Sequence, residues 1–395
     1  MTASIDPESL LLSLLRFESV SDRENVAITE FLGDVLGGLG FELFRCDYRD
    51  DAGIAKANLI ATRYPPTSGP ADADAEFADS ADGIRGLAYF AHTDVVPVEA
   101  WHGPGGPFDP VIQGGRIHGR GSCDMKGSLA AMIGAAARVR PEDQTAPLRI
   151  ICTADEEVGF VGAKQLVARS EEYRRVVREQ PLAIIGEPTC CEIVHAHKGI
   201  NAFRITSHGR AAHSSSHEGH NANLAMVPML VELLRLYELS EHDPGLRDDR
   251  FDPPTITWTF GVSDHCQAVN ITPGRSDAWV SLRTMPEIDA AELIAAVEAK
   301  AGHLGLSFAR KHGGPPMWVD PDNPAIRELC ELADCDAPKT VCYATDGGEF
   351  VDLEHRVVWG PGDIAQAHTS DEWLCRDELA KGVDLYHRAL LRWCV

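Results

Sequence analysis

His92 and Asp94 stand two residues apart where a short apolar run ends, and Asp124 sits in the glycine-rich stretch 119–127. Glu156 and Glu157 are adjacent, Glu187 lies in Gly186-Glu187-Pro188-Thr189, and His368 lies in Gln366-Ala367-His368. Imidazoles and carboxylates scattered in this way are the ligand types of a catalytic zinc site, whereas structural zinc sites more often use closely spaced Cys/His pairs. Each residue alone has an ordinary explanation: an Asp before a helix is usually an N-cap, paired acids are usually a solvated loop, and a strand-end His beside an Asp is often a satisfied turn. Together they suggest a division of labour. Period-2 geometry sends His92 and Asp94 to one side of the chain, and a carboxylate that accepts a ring N–H fixes the tautomer of a ligating His. Of two neighbouring acids, one can bind metal while the other takes a proton from metal-bound water. The charges of Asp124, Glu157 and Glu187 balance two zinc ions bridged by hydroxide, and a single zinc leaves the cluster anionic. Two His with three carboxylates suit zinc, cobalt or manganese more than magnesium or calcium.

The elements that must position these groups are strands near 41–45, 57–62, 86–91, 148–154 and 182–186, with helical patterns between several of them. Val26, Phe31, Leu32, Val35, Leu36 and Leu39 share one helical face, and Gly40 closes it. This alternation predicts an α/β domain with a largely parallel sheet, in which ligands gather beyond the carboxyl ends of the strands. His92, Glu156, Glu157 and Glu187 all stand there. The texture changes near Gly199: strands at 202–207, 255–262, 268–271 and 278–283, with helices at 221–239 and 290–301, predict an inserted two-layer α+β, ferredoxin-like unit. The expected division is a discontinuous domain of 1–198 and 312–395 around an insert of 199–311. The acidic, Ala/Asp-rich stretch 65–83 reads as a mobile surface insertion.

Composition sets the outer limits. The chain has 395 residues, 44% of them hydrophobic, enough for two domains. With 60 acidic against 36 basic residues and a formal charge of −24, it lacks the basic footprint of a nucleic-acid or anionic-membrane binder. The 11 cysteines form no CxxC pair and read as buried free thiols of a reducing, cytoplasmic compartment. Asp6-Pro7 and the leucines that follow read as a first helix, not a signal peptide, and no apolar run reaches membrane-spanning length. Competing motifs are weak. His213, His217 and His220 lie in a Ser/Gly-rich run that precedes a helix, no Gly-x-Ser-x-Gly elbow is present, and the prolines of Gly103-Pro104-Gly105-Gly106-Pro107 lack the N–H groups of a phosphate cradle.

His92-Thr93-Asp94-Val95-Val96-Pro97, Gly119-Arg120-Gly121-Ser122-Cys123-Asp124-Met125-Lys126-Gly127, Ala154-Asp155-Glu156-Glu157, Gly186-Glu187-Pro188-Thr189 and Gln366-Ala367-His368, in this order, resemble the dinuclear zinc amidohydrolases. That family includes acetylornithine deacetylase, succinyl-diaminopimelate desuccinylase, aminoacylases and glutamate carboxypeptidases. The resemblance covers nearly the whole chain and is nearest to the acetylornithine deacetylase branch. It implies Asp124 as the carboxylate shared by two metals, His92 and Glu187 completing one, Glu157 and His368 the other. It also implies Glu156 as general base and Asp94 as the partner of His92. The insert resembles the family's lid and dimerisation domain, which implies a homodimer, with His213 stabilising the oxyanion and Asn270 and Arg283 holding the substrate. In the dimeric members that His reaches the partner's active site. Thr345-Asp346-Gly347-Gly348-Glu349-Phe350 stands where the branch usually has Thr-Glu-Ala, so Asp346 and Gly348 are expected at the substrate, with Asp346 or Glu349 pairing with a substrate ammonium. The implied reaction is hydrolysis of an N-acyl amino acid, N-acetyl-L-ornithine first among candidates. Succinyl-diaminopimelate or a small dipeptide is the main alternative. A metal-binding protein without turnover and a purely structural dimer stand behind it.

Overall fold

A computed structural model describes residues 5–66, 83–266, 268–288 and 290–395. The chain divides into two compact units: Met1–Ala196 with Val319–Lys339 and Thr345–Val395, and His197–Trp318 with Thr340–Ala344. Apart from its end residues, the expected insertion 65–83 lies outside the described residues.

In the first unit the strands stand in the order Glu42–Arg49, Ala55–Arg63, Leu148–Thr153, Leu87–His92, Leu182–Ile185, Arg356–Val358 and Val194–His197. The middle four are mutually parallel, and the outer pairings are antiparallel. Every residue of Leu87–His92 and of Leu148–Thr153 is buried, as in a strand covered on both faces. Helix Lys126–Arg138 packs beside helices Pro7–Leu15 and Arg376–Trp393. Gly134 allows a close approach: a Cβ there would stand 2.5 Å from Pro7 Cγ. Asp6 caps the first helix, accepting the Ser9 N–H at 3.1 Å. The cysteines are free, but Cys190 and Cys342 are exposed, so burial does not hold for all of them.

The second unit is a four-stranded antiparallel sheet in the order Thr257–Ser263, Arg275–Arg283, Ile200–His208, Ser307–Gly314, with helices Asn223–His242 and Ala291–His303. The chain order is β-α-β-β-α-β. The strand expected at 268–271 is not formed: Val269 and Asn270 lie in a turn and Ile271 makes an isolated bridge to His213. Val269 is fully exposed, with no face to bury. Pro273 then removes a donor that a longer ladder would need.

Candidate active site

The carboxyl ends of the four parallel strands bring the sequence-remote groups together. His92 closes Leu87–His92, Glu156 and Glu157 follow Leu148–Thr153, Glu187 follows Leu182–Ile185, and His368 lies in the loop after Arg356–Val358. Asp124 stands between the two imidazoles: Oδ1 is 3.0 Å from His92 Nε2 and Oδ2 is 3.4 Å from His368 Nε2. His92 Nε2 is also 3.7 Å from Glu187 Oε1, and His368 Nε2 is 3.0 Å from Glu157 Oε2. Ligands about 2.0 Å from a tetrahedral zinc stand about 3.3 Å from one another, so these separations suit atoms that share a cation. Ligand atoms of His92, Asp124 and Glu157 all lie within 4.8 Å of one another. The donor set fits divalent cations, and its acidic excess makes such cations the natural source of compensating charge.

The electrostatics point the same way. Burial pushes the carboxyls of Glu156 and Glu187 well above the usual range, with added repulsion from Glu187 and Glu157 on Glu156 and from Asp124 and Glu157 on Glu187. Asp124 is buried too, but hydrogen bonds from His368 and His92 outweigh that and hold its carboxyl far below the usual range. Hydrogen bonds to Asp124 and Glu157 lift the His368 imidazole to about 10. For His92, burial opposes the charged ring and is outweighed by the Asp124 bond and the surrounding acids.

Asp94 acts differently from the sequence expectation. His92 Nδ1 meets the backbone carbonyl of Asp94 at 2.9 Å, while the carboxylate is 3.7 Å away. That carboxylate is committed elsewhere: it accepts the Ser21 hydroxyl at 2.8 Å and the N–H groups of Glu156 and Glu157 at 3.1 and 3.3 Å. Asp94 thus orients the imidazole through its main chain and the acidic loop through its side chain.

Sequence reading missed Glu372. Fully buried, it accepts the N–H groups of Gly121, Cys123 and Asp124 at 2.9, 2.9 and 3.0 Å and a 2.7 Å bond from Arg120. Arg120 also donates to the Thr369 carbonyl at 2.9 Å. One ion pair therefore ties the Asp124 loop to the loop that carries His368. Gly121 makes the bend at φ 85°. The backbones of His368 (φ 62°) and Asp155 (φ 55°) are also left-handed, which is uncommon for non-glycine residues and concentrates at functional sites.

Asp346 and Gly348 form a buried turn in the same unit. Asp346 accepts the Thr153 hydroxyl at 2.7 Å and is 3% exposed. Glu349 is 3.6 Å from the Lys164 ammonium. Asp346 thus braces the end of strand Leu148–Thr153, while Glu349 pairs with helix Val161–Arg169. His213, Asn270 and Arg283 belong to the second unit. There Ser214 N–H donates to the Asn270 carbonyl at 2.9 Å, placing His213 beside the 268–271 turn, while Arg283 ends its strand opposite Thr257.

Acids and imidazoles gathered at the carboxyl ends of a mainly parallel sheet form a candidate centre for divalent cations, and the family match makes it that of a metal-dependent hydrolase. The chain belongs to Peptidase family M20/M25/M40, whose pattern matches residues 88–392. It is 29% identical to acetylornithine deacetylase of Myxococcus xanthus, over 97% of this chain and 96% of that one. It is 28% identical to a probable succinyl-diaminopimelate desuccinylase of Staphylococcus epidermidis, over 96% of each. Among solved structures, human carnosine dipeptidase 1 matches with a TM-score of 0.74 at 17% identity, covering 98% of this chain and 96% of that one. The metallo-carboxypeptidase Sso-CP2 of Sulfolobus solfataricus also matches at 0.74, with 16% identity and 98% of each chain covered. Among the described residues, no helix is long and apolar enough to cross a membrane.

Proposed function

We propose that this enzyme hydrolyses the amide bond of an N-acyl amino acid, with N-acetyl-L-ornithine, giving L-ornithine and acetate, as the leading substrate. The observation that carries the reading is the Asp124 carboxylate, whose two oxygens face two different imidazoles while Glu156 is buried on the adjoining loop. In this reading Asp124 is shared between two cations, His92 and Glu187 complete one site, and Glu157 and His368 complete the other. Zinc suits the donor set, as do cobalt and manganese. Held by these residues, such cations would supply polarisation of the amide carbonyl and a lower pKa for water. Glu156 takes the proton from the attacking water and delivers it to the leaving nitrogen. Asp94 keeps Glu156 and Glu157 in place through their N–H groups. His213 donates to the oxyanion, Asn270 holds the carbonyl, and Arg283 offers a bidentate fork to the substrate carboxylate.

The relatives named acetylornithine deacetylase and succinyl-diaminopimelate desuccinylase support an N-acyl amino acid and leave the acyl group to experiment. The test compares kcat/KM of zinc- and cobalt-loaded protein for N-acetylornithine, N-succinyl-diaminopimelate, other N-acyl amino acids and dipeptides. The expected result is highest kcat/KM for N-acetylornithine. A preference for the succinyl substrate or a dipeptide would move the assignment there, and metal binding with no turnover on any of them would overturn it.

The proposed homodimer forms through the second unit. Leu224, Val227, Val231 and Leu234 make an exposed stripe on helix Asn223–His242, opposite the buried Met226, Met229, Leu233 and Leu236. Phe260 and Val262 add exposed apolar surface on the edge strand Thr257–Ser263. Light scattering should give a dimer, and Val231→Glu a monomer.

A further inference from the structure

Lys56 is a buried cation outside the proposed chemistry, and its surroundings form a closed circuit. Its side chain is 1% exposed, and its ammonium donates to the Ser21 carbonyl at 2.6 Å and to Asp155 Oδ1 at 2.5 Å. The Ser21 hydroxyl donates to Asp94 Oδ2, and Asp94 accepts the N–H groups of Glu156 and Glu157. Those residues follow Asp155 directly, so the chain itself leads back to the Lys56 ammonium. The other Asp155 oxygen accepts the Tyr48 hydroxyl at 2.7 Å. Glu156 and Glu157 are thus pinned from two sides, by Asp94 on their N–H groups and by Lys56 on the residue before them. Asp155 is buried, and the Lys56 ammonium is the positive charge that compensates its carboxylate there.

We propose that Lys56 is a positioning residue that sets where Glu156 and Glu157 stand, so that it governs turnover and cation affinity at the Glu157/His368 position without touching substrate. The inference rests on the assignment of those two glutamates made above. Loss of a buried partner that orients ligands typically lowers metal affinity or activity about 10- to 100-fold. The effect should be lopsided: the loop that Lys56 holds carries Glu157, whereas Glu187 lies on another strand end and Asp124 is held by Glu372.

The test uses full-length wild type, Lys56→Met and Tyr48→Phe. Zinc affinity is measured by chelator competition, amide hydrogen exchange at Glu156 and Glu157 in metal-free protein, and kcat and KM on the best substrate. For Lys56→Met we expect one zinc to bind about 10- to 100-fold more weakly and the other as before. The two amides should exchange faster, and kcat should fall by a similar factor with KM within about twofold. Tyr48→Phe, which keeps the ion pair, should shift the same readouts in the same direction by only a few-fold, and it decides the matter if Lys56→Met does not fold. Unchanged zinc affinities and exchange in a folded variant would overturn the proposal, as would equal weakening of both zinc ions. Should wild type cleave no N-acyl amino acid, the functional reading fails, while zinc affinity and exchange still decide the role of Lys56.

Discussion

The two regions that supply the proposed catalytic groups are built in opposite ways. At the strand ends of the first unit, the side chains are mostly buried and held by further buried groups. Asp94 accepts three bonds, Glu372 accepts four, and Lys56 bridges Ser21 and Asp155. In the second unit His213 is exposed, its ring bonded to the Ser215 hydroxyl at 2.7 Å, next to a turn whose Val269 is bare to solvent. Cation ligands must stay in place between turnovers, since a misplaced carboxylate in a low-dielectric site is costly. An oxyanion donor is needed only while charge develops, so little is lost if it sits on an exposed loop. Substitutions of the proposed cation ligands in the first region should therefore change cation binding, those in the second only rate.

The sharpest way to break this contrast is Asp124→Ala. If Asp124 is shared, both zinc ions should be lost together and hydrolysis should vanish, as measured by metal content after gel filtration. Retention of one full equivalent would mean that the two sites are independent. Glu156→Gln comes next. It should keep both metals and lose about 10²–10⁴-fold in kcat, the usual worth of a positioned base. Metal loss in that variant would exchange its role with that of Glu157. His213→Ala should lower kcat about 10²–10³-fold, leaving metal content unchanged and stability within about 0.5 kcal/mol, as is usual for an exposed site. A clear drop in either would show that the second region is as tightly coupled to the cations as the first.

The same contrast separates what was legible in the sequence from what was not. His92, Glu157 and Glu187 could be placed because each ends or follows a short, largely apolar run that reads as a buried strand. The parallel sheet then converts sequence distance into proximity. Glu372 carried no such mark: it reads as one more acid in Ser370-Asp371-Glu372, and its partner Arg120 lies 252 residues away. Lys56 carried no mark either: it stands just before the expected strand 57–62, and its meaning depends on Asp155, which only the fold brings near. The missing strand at 268–271 is the reverse case. Alternating Val269 and Ile271 imitates strand periodicity, yet there is no sheet face for the pattern to cover.

Asp346 gives the smallest and most local test, because it stands within the buried region but is not one of the proposed ligands. Burial pushes its carboxyl up to about 7, against a weaker opposing pull from the Thr153 hydroxyl and the His92 charge. In metal-free protein the folded state therefore keeps this proton between the usual carboxylate range and about pH 7, while the unfolded state releases it. More protons are bound folded than unfolded in that window, so the Asp346 contribution to stability falls as pH rises through it. Asp346→Asn cannot titrate, so the stability of wild type relative to the variant should fall with rising pH, by about 1 kcal/mol per pH unit at its steepest. Urea unfolding of both proteins across about pH 5 to 7 measures this directly. Parallel profiles would mean that Asp346 is ionised in the folded state throughout. The Thr153 hydroxyl and the His92 charge would then outweigh burial and hold the carboxylate ionised.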